Sequence, residues 1–117
     1  MSNDKVETIH SVSCGQVGRA FSRVRGQELV LDASSHPRDD AFTNSEAFLA
    51  GVSSCGVTLI ESYAQGEGIP ITRMDVEIEG VRPGSDLARF ERISMHFEFT
   101  GVSQAQAEDL VEVYRNR

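Results

Sequence analysis

The chain has 117 residues, with 18 acidic and 11 basic side chains, a formal net charge of −7, two cysteines and no tryptophan. That length suits one domain, 1–117, able to bury a core without disulfide staples, and the acidic balance argues against a nucleic-acid partner or an anionic membrane surface. The opening MSNDKVETIH lacks an apolar h-region and the unbroken apolar runs are short, so neither a signal peptide nor a membrane span is expected, and Cys14 and Cys55 are expected as free thiols in the cytoplasm. A Cys14–Cys55 disulfide is the less favoured alternative.

Val6 to Cys14 alternates loosely and reads as a strand. Gly15 and Gly18 flank a turn, and Arg19 to Val24 returns as a second strand. A turn at Gly26–Gln27 leads into a third strand, ELVLDA, Glu28 to Ala33, completing an antiparallel meander. Ser34 to Asn44 is a polar loop. A helix follows over 44–65. Phe48, Val52, Cys55, Leu59 and Tyr63 fall at steps of three or four on one stripe, widened by Leu49, Val57 and Ile60, so the helix is expected to be largely buried. Thr43-x-x-Glu46 fits a capping box at its start, and Gly66 or Gly68 would end it. Met74, Val76 and Ile78 alternate with acidic residues. Ile93, Met95, Phe97 and Phe99 alternate with Ser94, His96 and Glu98. These two strands form a hairpin with one wet face. Ser103 to Gln106 can cap a second helix, whose Ala107, Leu110, Val111 and Tyr114 face the core; its pattern runs to Arg117 without a terminating glycine. The order β-β-β-α-β-β-α is an α+β fold.

The chemistry concentrates at Cys55, which sits in the first helix among Gly51, Ser53, Ser54 and Gly56. Each helical glycine costs about 0.8–1 kcal/mol relative to alanine, so two in one helix call for close packing or an open pocket. A lone cysteine on an apolar stripe is commonly an inert core residue. A reactive one needs a neighbour that favours the thiolate, and an arginine is the most dependable such cation. Arg19, Arg23 and Arg25 on the early hairpin are the available donors; ordinary surface charge is their alternative role. Glu46 precedes Cys55 by nine residues, about 13.5 Å along a helix. It is either the capping-box glutamate or, through a shared arginine, part of a site around the sulfur. His10, His36 and His96 have no ligand spacing, no paired Cys/His pattern calls for a metal, and GQVGRA lacks the strand–loop–helix context of a phosphate site. No cofactor is expected.

The stretch TNSEAFLAGVSSCGVTL resembles the central helix of the osmotically inducible protein C / organic hydroperoxide resistance (OsmC/Ohr) superfamily. VRGQELVLDA before it, and EGIPITRMDVEIEG and FERISMHFEFTGVSQAQAEDLVEVY after it, extend the resemblance over nearly the whole chain. The resemblance implies an intertwined homodimer, with a long buried central helix from each subunit and an active site at the subunit interface. It also implies a thiol-dependent peroxidase acting on organic hydroperoxides, with Cys55 as the reacting cysteine, Glu46 at the glutamate position, an arginine beside them for which Arg19 is the first choice and Arg25 the second, and a dithiol as reductant. A stress-response role follows. The alternative is a non-catalytic OsmC-like protein, stress-associated or binding a small molecule, in which Cys55 lies buried in the dimer seam.

Two departures from the family pattern stand out. Ser45 replaces the usual proline at the helix start, and the Glu46-to-Cys55 spacing is nine rather than the ten of many Ohr-type enzymes, which points to the broader OsmC-like branch. The family's resolving cysteine would follow Arg117, so the resemblance leaves two expectations: a truncated form lacking the family's C-terminal segment, or resolution through Cys14 or an external thiol.

Overall fold

A computed structural model describes residues 3–116; Met1 and Ser2, where the N-terminal reading begins, and Arg117, where the last helical pattern ends, lie outside the described residues. The elements are β1 (His10–Ser13), β2 (Arg19–Val24), β3 (Gln27–Asp32), β4 (Phe42–Thr43), α1 (Asn44–Gly66), β5 (Arg73–Val81), β6 (Arg92–Thr100) and α2 (Gln104–Arg115). The α+β class and the two helices stand as expected. The chain divides into two compact units, Met1–Phe48 and Leu49–Arg117.

The first unit is a four-stranded sheet in the order β1-β2-β3-β4. β1, β2 and β3 form the expected antiparallel meander. The turn between β2 and β3 is Arg25–Gly26, not Gly26–Gln27. Both residues have positive φ, 51° and 79°, the backbone of a two-residue loop whose twist matches its strands. Val24 therefore pairs with Gln27, and at the far end Arg19 pairs with Asp32. β1 is shorter than the alternation of Val6 to Cys14 predicts, and its residues are exposed. β4 is an addition: two residues of the predicted loop pair parallel to β3, Leu31 with Phe42 and Asp32 with Thr43. Two residues are too few to show a period in sequence.

In the second unit β5 and β6 form one antiparallel hairpin, in register from Arg73↔Thr100 to Val81↔Arg92. Met74, Val76, Ile78, Met95, Phe97 and Phe99 are half-buried on one face, while their acidic neighbours and His96 are exposed, as the alternation predicts. Ile93 departs from it: it is 40% exposed, opposite Gly80 near the loop end of the hairpin. The core is Ile60, Ala64 and Leu110, surrounded by Tyr63, Ile69, Ile71, Met74, Phe97, Phe99 and Tyr114.

Both helices begin as the sequence predicts. At α1 the Thr43 N–H donates to Glu46 Oε1 at 2.9 Å and the Glu46 N–H donates to Thr43 Oγ1 at 3.2 Å. At α2 the Ser103 N–H donates to Gln106 Oε1 at 2.9 Å and the Gln106 N–H to Ser103 Oγ at 3.1 Å. These are reciprocal capping boxes. α1 is stopped just past its last residue by Gly68, whose φ is +69°. The Ile69 N–H reaches the Ala64 carbonyl at 2.9 Å and the Gly68 N–H the Gln65 carbonyl at 3.4 Å, the paired bonds of a Schellman stop.

The buried stripe of α1 differs from the expected one. Gly56, Ile60 and Ala64 are its buried residues, whereas Phe48 and Cys55 are exposed and Val52, Leu59 and Tyr63 are half-buried. In this single chain the central helix is thus buried along one edge only. The reason is fit: a Cβ on Gly56 would lie 3.4 Å from both Met95 Cε and Tyr114 Cζ. Met95 and Tyr114 thus pack directly against the helix at Gly56, with room left for little more than a methyl group. At 23 residues and a mean hydropathy of 1.2 over its apolar window, α1 is also long and apolar enough to cross a membrane. Only its Gly56–Ile60–Ala64 edge is buried in the single chain, so core contact accounts for part of that apolarity.

Candidate active site around Cys55

Cys55 lies near the middle of α1, and its thiol is free and exposed. The polar residues around it do not disrupt the helix, because their hydroxyls turn back onto it. Ser53 Oγ donates to the Leu49 and Ala50 carbonyls at 3.1 and 3.2 Å. Thr58 Oγ1 donates to the Ser54 and Cys55 carbonyls at 3.2 and 3.4 Å. Such back-bonds satisfy the hydroxyl locally. Gly51 has open space where a Cβ would stand. Gly51, Ser54, Cys55 and Thr58 form an exposed strip of small residues, one helical turn apart. Gly56 thus serves close packing within the chain, and Gly51 does not.

Tyr114, expected only as a core residue, borders this region. Its hydroxyl donates to the Val52 carbonyl at 3.2 Å, and its ring stands edge-on to Phe97, centroids 5.8 Å apart. Burial, and then the negative charge of the Cys55 sulfur, push its phenol above the ordinary range. Nothing in the sequence spacing links residues 55 and 114; only the packing of α2 brings them together.

Arg19 is held in the first unit. Its Nε and NH2 donate to Asp32 Oδ1 and Oδ2 at 2.7 and 3.0 Å. Its NH1 and NH2 donate to Asp40 at 3.2 and 2.5 Å. Asp32 is fully buried, while the Asp40 side chain is 70% exposed. The arginine bonds hold both carboxyls below the usual carboxylate range, and the same bonds push the guanidinium further up. Arg38 adds a weaker charge contact, NH1 to Asp32 Oδ1 at 4.0 Å. Its guanidinium also donates to Gln16 Oε1 and to the Val17 carbonyl.

Sequence reasoning missed Asp32 and Asp40, although a signal existed. With the turn at Arg25–Gly26, Asp32 falls directly opposite Arg19, the arrangement in which opposite charges stabilise a strand pair. A turn at Gly26–Gln27 would have set Ser34 there instead.

Glu46 is exposed in the first turn of α1. Its Oε1 serves the cap; among the described residues Oε2 has no hydrogen-bond partner. Arg23 pairs with Glu28 at 2.6 Å, and Arg25 occupies the strained turn position. Cys14 is half-buried, its Sγ 3.5 Å from the Arg19 carbonyl. His96 lies on the wet face beside Glu98, 3.3 Å away.

The family model described as OsmC-like protein matches residues 37–117. The chain belongs to this family. No curated protein matches it in sequence. Among solved structures, it is similar to an OsmC-like protein from Mycoplasma pneumoniae, with a TM-score of 0.84 and 19% identity over 97% of this chain and 83% of that one. It is also similar to an organic hydroperoxide resistance protein OsmC from Legionella pneumophila, with a TM-score of 0.69 and 21% identity over 96% and 83% of the two chains. The organic hydroperoxide resistance protein OhrB of Bacillus subtilis matches with a TM-score of 0.67 and 15% identity over 96% and 84%. At these identities the likeness establishes that the OsmC-like chain has the OsmC/Ohr fold.

Proposed function

We propose that this OsmC-like chain is a thiol-dependent peroxidase of the stress response, reducing organic hydroperoxides to alcohols through Cys55. The observation that carries the reading is a free, exposed thiol on the central helix of an OsmC-like fold. The names of the Legionella and Bacillus relatives lend support to the substrate class. In the reaction, the Cys55 thiolate attacks the distal peroxide oxygen. The O–O bond breaks, the alkoxide takes up a proton and leaves as alcohol, and the sulfur becomes a sulfenic acid. One thiol of a dithiol reductant condenses with it and releases water; the second thiol then displaces Cys55 and closes the reductant's own disulfide.

Arg19 and Glu46 are assigned the charged roles. The guanidinium stays protonated at all working pH values and is oriented by buried Asp32, and the exposed Asp40 is the partner it can release most readily. Glu46 keeps one carboxylate oxygen available. The whole chain acts as one OsmC-like domain, in an intertwined homodimer whose seam includes the exposed strip Gly51, Ser54, Cys55 and Thr58; small side chains there allow a second helix to approach closely. Two free cysteines suit a reducing, cytoplasmic setting.

The engagement of Arg19 by two aspartates favours a second reading, a non-catalytic OsmC-like stress or small-molecule-binding protein. Cumene hydroperoxide consumption with dihydrolipoamide, or with dithiothreitol, separates the two. The peroxidase reading expects turnover by the native chain and at least about a thousandfold loss in Cys55→Ser, the scale of removing a nucleophile. Equal rates in both proteins would leave only the binding reading.

A further inference from the structure

A redox-active sulfur on α1 needs a donor when it carries charge, and the second unit offers one besides any arginine. The Tyr114 hydroxyl rests on the Val52 carbonyl at 3.2 Å, and its ring lies against Gly56. Val52 lies three residues before Cys55 and four before Gly56, so it neighbours each of them on the helix surface. Side chains on a helix lean toward its N-terminus, so the Cys55 side chain leans from its own position toward the turn that carries the Val52 carbonyl. The phenol oxygen on the Val52 carbonyl therefore lies on the side toward which the Cys55 side chain leans. The contact is enforced from several sides: Phe97 holds the ring edge-on, and Leu110, one turn earlier on α2, is buried in the core.

The hydroxyl is also free to change partner. A carbonyl inside a helix already accepts the N–H four residues on, so the phenol's bond to Val52 is a second bond to one oxygen. An ionised sulfur is the stronger acceptor. The phenol remains protonated through the neutral range, because burial and the charge of Cys55 both raise it.

We propose that Tyr114 is a positioning residue for Cys55, its hydroxyl turning from the Val52 carbonyl to the Cys55 sulfur when that sulfur is a thiolate or a sulfenate. The inference rests on the reading of Cys55 as redox-active. It adds a donor from α2 that does not depend on how Arg19 is partnered.

The test is the pH profile of iodoacetamide alkylation at Cys55, read by mass spectrometry of its peptide so that Cys14 does not contribute, in the native chain and in Tyr114→Phe. Phenylalanine keeps the ring against Gly56 and Phe97 and removes only the hydroxyl. Losing one hydrogen bond to the charged form should move the profile to higher pH and slow alkylation at pH 7 about three- to tenfold, with the helical circular dichroism unchanged. Superimposable profiles overturn the proposal. A second measurement does not use that variant: in a Tyr63→Phe background, the spectrophotometric midpoint of Tyr114 should fall when Cys55 is replaced by alanine. An unchanged midpoint counts equally against the proposal. Hydroperoxide turnover of the native chain is scored separately. A shifted profile without turnover sinks the peroxidase reading and keeps the donor; turnover with superimposed profiles does the reverse.

Discussion

The two units of this chain are held together by different physics. The first, Met1–Phe48, has Asp32 as a fully buried side chain, tied to Arg19 by two hydrogen bonds and through Arg19 to Asp40. The second, Leu49–Arg117, is organised around Ile60, Ala64 and Leu110. A buried ion pair is sensitive to pH and specific in geometry. An apolar core is indifferent to pH and sensitive to volume. The difference teaches that the two parts of the proposed site should respond to different perturbations, Arg19 to charge and Cys55 with Tyr114 to packing.

Acid should separate the units most completely. Arg19 depresses the carboxyls of Asp32 and Asp40 in the folded chain. Their contribution is therefore present above the ordinary carboxylate range, near pH 4, and is lost as pH falls through the lower folded values. Amide hydrogen exchange should show protection at Arg19–Val24 and Gln27–Asp32 vanishing on acidification while Met74–Val81 stays protected. Simultaneous loss in both units would break the comparison. Asp32→Asn should flatten that acid dependence. In the apolar unit, Ile60→Ala or Leu110→Ala should cost about 2–5 kcal/mol in denaturant unfolding, as deletions from a packed core do, with the same cost at pH 5 and pH 8.

Gly56→Leu comes next. It should cost about 1–3 kcal/mol by overpacking, whereas Gly51→Leu, facing open space in the single chain, should raise monomer stability by up to about 1 kcal/mol, as a better helix former, and weaken self-association in sedimentation. A smaller effect belongs to α2: Ser103→Ala removes its cap and should cost about 1 kcal/mol. The smallest has the opposite sign. Arg25→Asn, at a position whose φ of 51° suits asparagine better, should raise stability by up to about 1 kcal/mol.

Much of this architecture is legible without coordinates. Both capping boxes, the glycine stop of α1, the bounds of β2 and the alternation of β5 and β6 depend on residues within a few positions of one another, and local chemistry fixes them. The proposed nucleophile, Cys55, stands out for the same reason, as the one thiol in a helix of small residues. Other features depend on which distant segments meet. The buried stripe of α1 became Gly56, Ile60 and Ala64 because Met95 of β6 and Tyr114 of α2 pack at Gly56 and Leu110 packs with Ile60 and Ala64. Asp32 captured Arg19 because a turn one residue earlier than expected reset the register of a whole strand pair. Tyr114 reached the neighbourhood of Cys55 because α2 docks Leu110 into the core. Periodicity says that a helix has an apolar side and a strand has two faces; only the assembled chain decides which neighbours fill them, since that choice is settled by shape and charge contributed from dozens of residues away.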